Sequence, residues 1–94
     1  MTESQLQKKI MDLLTNNGYK VFKAMTSSIN GVSDIVGTSP TGLSVAIEVK
    51  APGKLKTVSK LQEHYLDAVR CRGGIAILAD SVKIVEDALG LRAT

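Results

Sequence analysis

The stretch from Gly31 to Lys50 limits the possible fold more than any other part of this chain. It contains two short runs rich in β-branched residues, separated by a turn through Pro40 and Gly42. Runs of this kind, bounded by Gly, Ser, Thr and Pro, are typical of consecutive antiparallel strands. Alternation along the second run predicts one face formed by Val45, Ile47 and Val49 and an opposite face formed by Ser44, Ala46, Glu48 and Lys50.

Acidic and basic side chains are expected to meet at the end of this hairpin. Glu48 and Lys50 share a strand face, and Asp34 on the preceding strand should lie close enough to join them. Two carboxylates and a lysine on rigid strands can hold a divalent cation and act on a phosphate. A Glu and a Lys two apart are also common on solvated faces, and an Asp beside Gly and Ser is a common turn former. The spacing alone leaves both interpretations open.

The elements around the hairpin are predicted from apolar periodicity and capping residues. A first helix is expected over residues 2 to about 17, with Leu6, Ile10, Leu13 and Leu14 as its apolar stripe. Glu3 projects along the same side as this stripe, although an acid in a first helical turn is also generally favourable to the helix dipole. A strand over residues 19–25 and a polar loop over residues 26–30 then lead into the hairpin.

The second half of the chain predicts a helix, a strand and a helix. The helix covers residues 59 to about 71, with Leu61, Tyr65, Ala68 and Val69 as its apolar side. The continuous apolar run 75–79 is expected to be a fully buried strand, parallel to the Glu48 strand after a right-handed crossover. A last helix over residues 82–89, capped by Asp80 or Ser81, completes a single α/β domain over residues 1–94.

The order of these residues resembles the PD-(D/E)XK nuclease core. It is similar, more narrowly, to the small stand-alone VRR-NUC (virus-type replication-repair nuclease) domains of phages and bacteria. The resemblance rests on Gly31-x-x-Asp34, then Glu48-Val49-Lys50, then Gln62 on the following helix, and it extends from Glu3 to about Leu89. The proline of the superfamily name is absent, since Val32 and Ser33 precede Asp34, but that position varies widely. The implied fold is a small restriction-endonuclease-like α-β-β-β-α-β-α sandwich with a mixed sheet.

The resemblance also implies roles for individual residues. Asp34 and Glu48 would bind Mg²⁺ or Mn²⁺ directly, the Val49 carbonyl would be a third ligand, and Glu3 would bind through a water or a second ion. Lys50 would orient the attacking water and stabilise the charge of the transition state.

Gln62 and the basic loop each have two interpretations. The family places a Gln at this point of the second helix, reaching the active site, whereas Ser59 and Gln62 also have the spacing of a capping box. The loop over residues 51–58 is either a solvated connection or a phosphate-contacting flap. In the second case Lys54, Lys56 and Lys60 would contact DNA.

The function implied is a metal-dependent, structure-specific DNA endonuclease. Stand-alone members of the resembled family act as homodimers on branched DNA, with four-way (Holliday) junctions as the expected substrate. A flap, end-processing or restriction-type nuclease is the alternative with the same chemistry. A non-catalytic nucleic-acid-binding module on the same fold and a generic α/β interaction domain are alternatives of other classes.

Composition limits the partners and the location. The formal net charge of +3 favours a polyanionic partner, although it could serve solubility alone. Tyr19, Phe22 and Tyr65 are the only aromatic residues, too few for a base-stacking platform, so contact with DNA is expected mainly at phosphates. No signal peptide or membrane-spanning stretch is recognisable, so we expect a cytoplasmic protein of a bacterial or phage-infected cell, with no membrane partner and no nucleotide cofactor. The single cysteine, Cys71, excludes an internal disulfide.

Overall fold

The chain forms seven regular elements in a computed structural model that describes residues 1–24 and 31–92. The predicted loop 26–30 and the last residue of the predicted first strand, Met25, lie outside the described residues. The elements are α1 (Glu3–Asn16), β1 (Lys20–Lys23), β2 (Ile35–Thr38), β3 (Ser44–Val49), α2 (Lys60–Cys71), β4 (Ile75–Ala79) and α3 (Val82–Leu89). Their order confirms the predicted α-β-β-β-α-β-α arrangement.

One mixed sheet holds the strands in the order β1-β2-β3-β4. The pairs β1–β2 and β2–β3 are antiparallel, as expected of a meander, and β3–β4 is parallel, as expected of a strand–helix–strand connection. The register matches Ile35 with Ile47 in the hairpin and Val49 with Ala79 in the parallel pair. These pairings fix which side chains share a face.

The main core lies between one face of the sheet and the helices α1 and α3. The four leucines and isoleucines of the predicted α1 stripe are buried there, and so are Val45, Ile47 and Val49 of β3. The opposite face of β3 and β4 is covered by α2, which buries Leu66. Because β3 is covered on both faces, its polar residue Glu48 is buried along with its apolar ones.

Helix ends follow their capping residues closely. The hydroxyl of Thr2 accepts a hydrogen bond from the Gln5 amide, and the Gln5 side chain accepts one from the Thr2 amide, forming the predicted capping box. Of the two candidates for the cap of α3, Ser81 performs this role by accepting from the Ile84 amide. Gly90 ends α3 with a φ of 67°.

Three sequence-based expectations about the elements were wrong. The strand carrying Asp34 begins at Ile35, so Asp34 immediately precedes β2 instead of lying inside it. The run 75–79 is not fully buried, because β4 is an edge strand of the described sheet. Leu61 is exposed, and Leu66 is the buried residue of α2. No helix among the described residues is long and apolar enough to span a membrane.

Candidate active site

The hairpin register brings Asp34 and Glu48 together. Because Ile35 pairs with Ile47 across antiparallel strands, Asp34 and Glu48 are the next opposed pair and their side chains project to the same face. Oδ2 of Asp34 accepts a hydrogen bond of 2.9 Å from the main-chain amide of Val49. This bond continues the strand pairing by one residue and holds the Asp34 carboxylate beside Glu48.

Gly31 holds the segment before Asp34 against the start of α2. Its φ is +85°, and a Cβ placed on it would lie 2.6 Å from the carbonyl oxygen of Leu61. Any side chain at this position would therefore push the segment away from the helix. This contact explains the glycine of the motif and couples Asp34 to the helix that carries Gln62.

Glu48 is buried, with one of its carboxylate oxygens paired and the other unpaired. Oε2 accepts a hydrogen bond of 3.1 Å from Nε2 of Gln62 and lies 3.5 Å from Nζ of Lys50. Oε1 is buried and has no hydrogen-bond partner among the described residues. A buried carboxylate oxygen without a donor is costly for a protein unless something else binds it.

The environment of Glu48 favours its protonated form. Burial is the main cause, the neighbouring Asp34 carboxyl adds to it, and together they raise the pKa of Glu48 from 4.5 to about 8. The Lys50 ammonium acts in the opposite direction but is outweighed. Strongly shifted pKa values of this kind cluster at functional sites.

Gln62 takes part in the predicted capping box and also contacts Glu48 and Lys50. Its Oε1 accepts hydrogen bonds from the Ser59 amide at 2.8 Å and from Nζ of Lys50 at 3.1 Å. Its amide nitrogen donates to Glu48. The capping box therefore fixes the rotamer of a side chain that also orients Glu48 and Lys50, so the two interpretations describe one side chain.

Glu3 lies at the exposed start of α1. Glu3 is exposed, as are all of residues 1–5, because the first turn of α1 projects beyond the core. No group of three His, Cys, Asp or Glu side chains comes together within residues 1–24 and 31–92. Glu3 is thus not buried with the stripe whose side it shares, and its role stays a prediction, as does that of the Val49 carbonyl.

The basic loop lies next to the carboxylates and is tied to the end of β4. Lys54, Lys56 and Lys60 are exposed and form no ion pair within the part of the chain that the structure describes. Residues 55–57 form one 3₁₀ turn, which the sequence did not predict. The Gly53 amide donates to Oδ2 of Asp80 at 3.0 Å. The sequence did not predict this contact; its only signal was that an acidic residue, Asp80, follows the run 75–79.

Comparisons with known proteins identify one family. The family model described as "VRR-NUC domain" matches residues 2–83. A search of curated proteins finds no match. A solved structure described as "VRR_NUC domain" is 24% identical with a TM-score of 0.80, covering 96% of this chain and 97% of that chain.

A second solved structure agrees with the first. It is described as "VRR_NUC domain protein" and is 15% identical with a TM-score of 0.71, covering 96% of this chain and 86% of that chain. At these identities the two structures show the fold that they share with this chain. Together with the family model they cover all of the elements that form the candidate site.

Proposed function

Since the chain belongs to the VRR-NUC domain family, a family of nuclease domains, we propose that it is a Mg²⁺- or Mn²⁺-dependent deoxyribonuclease that cuts branched DNA. The observation that carries this proposal is the pair formed by the half-buried Asp34 and the buried Glu48, with Lys50 beside it. Hydrolysis of a phosphodiester needs a site that offsets negative charge and orients a water. The two carboxylates would hold a divalent cation that offsets this charge, and the Lys50 ammonium would add to it and orient the water.

The residues present fit a divalent cation. Carboxylate oxygens are the ligands that Mg²⁺ and Mn²⁺ prefer, and Glu48 Oε1 is a buried oxygen without a partner among the described residues. Asp34 and Glu48 would hold the ion, with the Val49 carbonyl and Glu3 as further ligands. When bound, the ion would supply positive charge at the scissile phosphate and activate a water for attack. It would also replace the proton that Glu48 otherwise retains.

Lys50 would act on charge and orientation. Its ammonium group lies within hydrogen-bond distance of Gln62 and 3.5 Å from Glu48, so its position is fixed from two sides. A fixed ammonium beside the scissile phosphate stabilises the extra negative charge of the transition state. Gln62 is a positioning residue, because it contacts Lys50 and Glu48 while its own rotamer is held by the helix cap.

The DNA backbone would be bound by the basic loop. Lys54, Lys56 and Lys60 are free of ion pairs among the described residues, so their charges are available for phosphates. We propose four-way junctions as the preferred substrate and a homodimer as the active form, acting in the cytoplasm. Two active sites related by a two-fold axis fit symmetric cuts in a junction.

Cleavage of a substrate panel tests this function. The protein would be incubated with labelled four-way junction, splayed-arm, flap or linear duplex DNA in the presence of Mg²⁺, Mn²⁺ or EDTA. In a separate experiment, light scattering would measure the mass of the protein and so its oligomeric state. We expect paired cuts in the junction by a dimer, and no cutting in EDTA. Asp34→Asn and Glu48→Gln should lower the rate at least about a hundredfold, whereas Asp87→Asn on the exposed face of α3 should not change it.

Other outcomes would change the proposal in defined ways. Cutting of flaps or free ends instead of junctions would retain the chemistry and remove the junction assignment. A monomer that cuts would remove the dimer. Binding without cutting in either metal would contradict the nuclease proposal and favour a non-catalytic binding module.

A further inference from the structure

Phe22 is a large aromatic side chain exposed to solvent on β1. It is 61% exposed, whereas Tyr19 is 9% exposed and Tyr65, on α2, is half-buried. Exposed single apolar residues are common, so exposure alone has no functional meaning. The position of Phe22 on the sheet is what distinguishes it.

The register places Phe22 on the same face as the carboxylates. Phe22 pairs with Val36, and Val36 pairs with Ala46, so the three side chains lie in one row across the sheet. Ala46 precedes Glu48 by two residues on the same strand face. With ordinary strand spacings, Phe22 is about 12 Å from Glu48.

The surroundings of Phe22 are open and positively charged. On this face α2 packs on β3 and β4, whereas α1 contacts β1 from the opposite, core-facing side of the sheet. Lys20 shares the face with Phe22, is exposed and has no ion pair among the described residues. A hollow of about 420 Å³ adjoins the ring and is lined in part by Lys20, Gly37 and Thr38.

We propose that Phe22 stacks on an unpaired base of the DNA strand that enters the active site, while Lys20 contacts the neighbouring phosphate. This inference rests on the proposed nuclease function. An aromatic ring beside a lysine, on the face that holds the cation site, matches the alternation of base and phosphate along a single strand. A base inside a duplex has both faces covered, so Phe22 can bind only where bases are unpaired, as at a branch.

The chemistry of β1 favours DNA over a second copy of this chain. Pairing of two β1 edges about a two-fold axis would bring Lys20 and Lys23 of one copy close to the same lysines of the other, and like charges directly opposed on strands are destabilising. The Phe22 ring also lies on the face of the sheet and not along its edge. Three aromatic residues are too few for a platform on which several successive bases stack. The stacking proposed here needs only one ring, because it involves one base.

The test uses the full chain with splayed-arm DNA carrying 2-aminopurine at successive positions next to the branch, in EDTA so that no strand is cut. Stacking on Phe22 should change the fluorescence of one of these positions. Phe22→Ala and Phe22→Leu should abolish that change and weaken binding about five- to hundredfold, whereas Phe22→Tyr should retain both. Leu43→Ala, at a residue that is 44% exposed on the β2–β3 turn, is the matched control and should bind as wild type.

Several results would overturn the stacking proposal. One is a Phe22→Leu variant that retains both the fluorescence change and the affinity. A Leu43→Ala variant that weakens binding as much as Phe22→Ala is another. A change from dimer to monomer in Phe22→Ala, with unchanged DNA affinity per protomer, would instead assign the residue to contact between copies.

The nuclease proposal fails separately from the stacking proposal. If wild-type protein shows the stacking signal but cuts no DNA with Mg²⁺ or Mn²⁺, the nuclease function is wrong and the stacking site stands. If wild-type and Phe22→Ala cut and bind branched DNA equally well, the stacking site is wrong and the nuclease stands.

Discussion

At the scale of single residues, Glu48 is the only charged side chain that is buried among the described residues. It is 2% exposed, lies beside another carboxyl group and has one oxygen without a partner among the described residues. Such a group lowers the stability of the metal-free protein whenever it is ionised. Proteins retain groups of this kind at functional sites, where a ligand offsets the cost.

The raised pKa of Glu48 predicts a pH-dependent loss of stability in the absence of metal. In the unfolded chain its carboxyl loses its proton near pH 4.5, whereas in the folded protein it retains it up to about pH 8. The folded state therefore binds more protons across this range, and the free energy of unfolding falls as the pH rises through it. Glu48→Gln, which resembles the protonated acid, should remove this contribution.

We expect Glu48→Gln to be more stable than wild type by roughly 2–4 kcal/mol at about pH 8 in EDTA, with a much smaller difference near pH 5. Urea unfolding at the two pH values measures this. A difference of the same size at both values would contradict the assigned pKa.

Variants of Ser59 and Gln62 distinguish the contribution of Gln62 to the helix cap of α2 from its contribution to the active site. Ser59→Ala removes the hydroxyl that accepts from the Gln62 amide, so stability should fall by about 1 kcal/mol. The bonds from Gln62 to Lys50 and Glu48 remain, so the cleavage rate should stay close to wild type. Gln62→Ala removes those bonds too and should lower kcat about tenfold or more, with little change in DNA affinity.

Stability measurements and single-turnover cleavage of both variants decide between the roles. Equal loss of activity in the two variants would show that Gln62 acts only through the helix end. Wild-type activity in Gln62→Ala would remove it from the site.

At the scale of elements, the segment from Gly31 to Asp34 is held by contact with α2. Gly31→Ala should destabilise the protein for two reasons, its positive φ and the contact of the new Cβ with Leu61. Gly42 is a matched control, because its φ is +90° and a Cβ there would meet nothing within 4 Å. We expect Gly31→Ala to cost about 1–3 kcal/mol more than Gly42→Ala and to reduce cleavage in the protein that remains folded. Equal costs would show that the contact with α2 is unimportant.

The basic loop is the element proposed to bind the DNA backbone. Replacing Lys54, Lys56 and Lys60 with Gln should weaken DNA binding and make it less dependent on salt. The slope of the logarithm of the binding constant against the logarithm of the salt concentration should become less steep by about 0.9 for each phosphate that the variant no longer neutralises. Lys83→Gln is the control, because this exposed lysine pairs with Asp87 on α3. Fluorescence anisotropy at several salt concentrations measures both quantities. An unchanged slope in the triple variant would show that the loop does not bind phosphates.

The sequence predicted most element boundaries because local signals determine them. Thr2 and Ser59 begin helices through hydrogen bonds within their own first turns, and Ile75 and Ala79 bound the last strand as predicted. The pattern of apolar residues could not show which strands are central in the sheet, because a continuous apolar run is possible both in a central strand and in an edge strand. The sequence therefore predicted a fully buried β4, whereas β3, which has a neighbouring strand on each side, is the buried strand of the described sheet.

The candidate site was predictable to the extent that it depends on the hairpin. A short turn fixes the register, so Asp34 and Glu48 had to approach each other once both strands formed. The contacts of Gly31 with Leu61 and of Gly53 with Asp80 join segments distant in the chain, and no local pattern shows them. The exposure of Glu3 depends in the same way on where the core ends.

At the scale of the whole molecule, the candidate residues collect at one end of the sheet. The end of β3 carries Glu48 and Lys50, and Asp34 precedes the antiparallel β2 at the same end. The loop from β3 brings Lys54 and Lys56 there, and α2 begins there with its positively polarised N-terminus towards the site. This end of the molecule therefore combines a cation site with positive charge for a polyanion.

The rate of cleavage as a function of Mn²⁺ concentration, measured at several pH values below 8 on the DNA substrate that is cut fastest, tests the central claim most directly. If a cation replaces the proton of Glu48, cleavage requires Mn²⁺, and the half-saturating concentration should fall by up to about tenfold per pH unit as the pH rises towards 8. Cleavage in EDTA, or a half-saturating concentration that does not change with pH, would contradict the account.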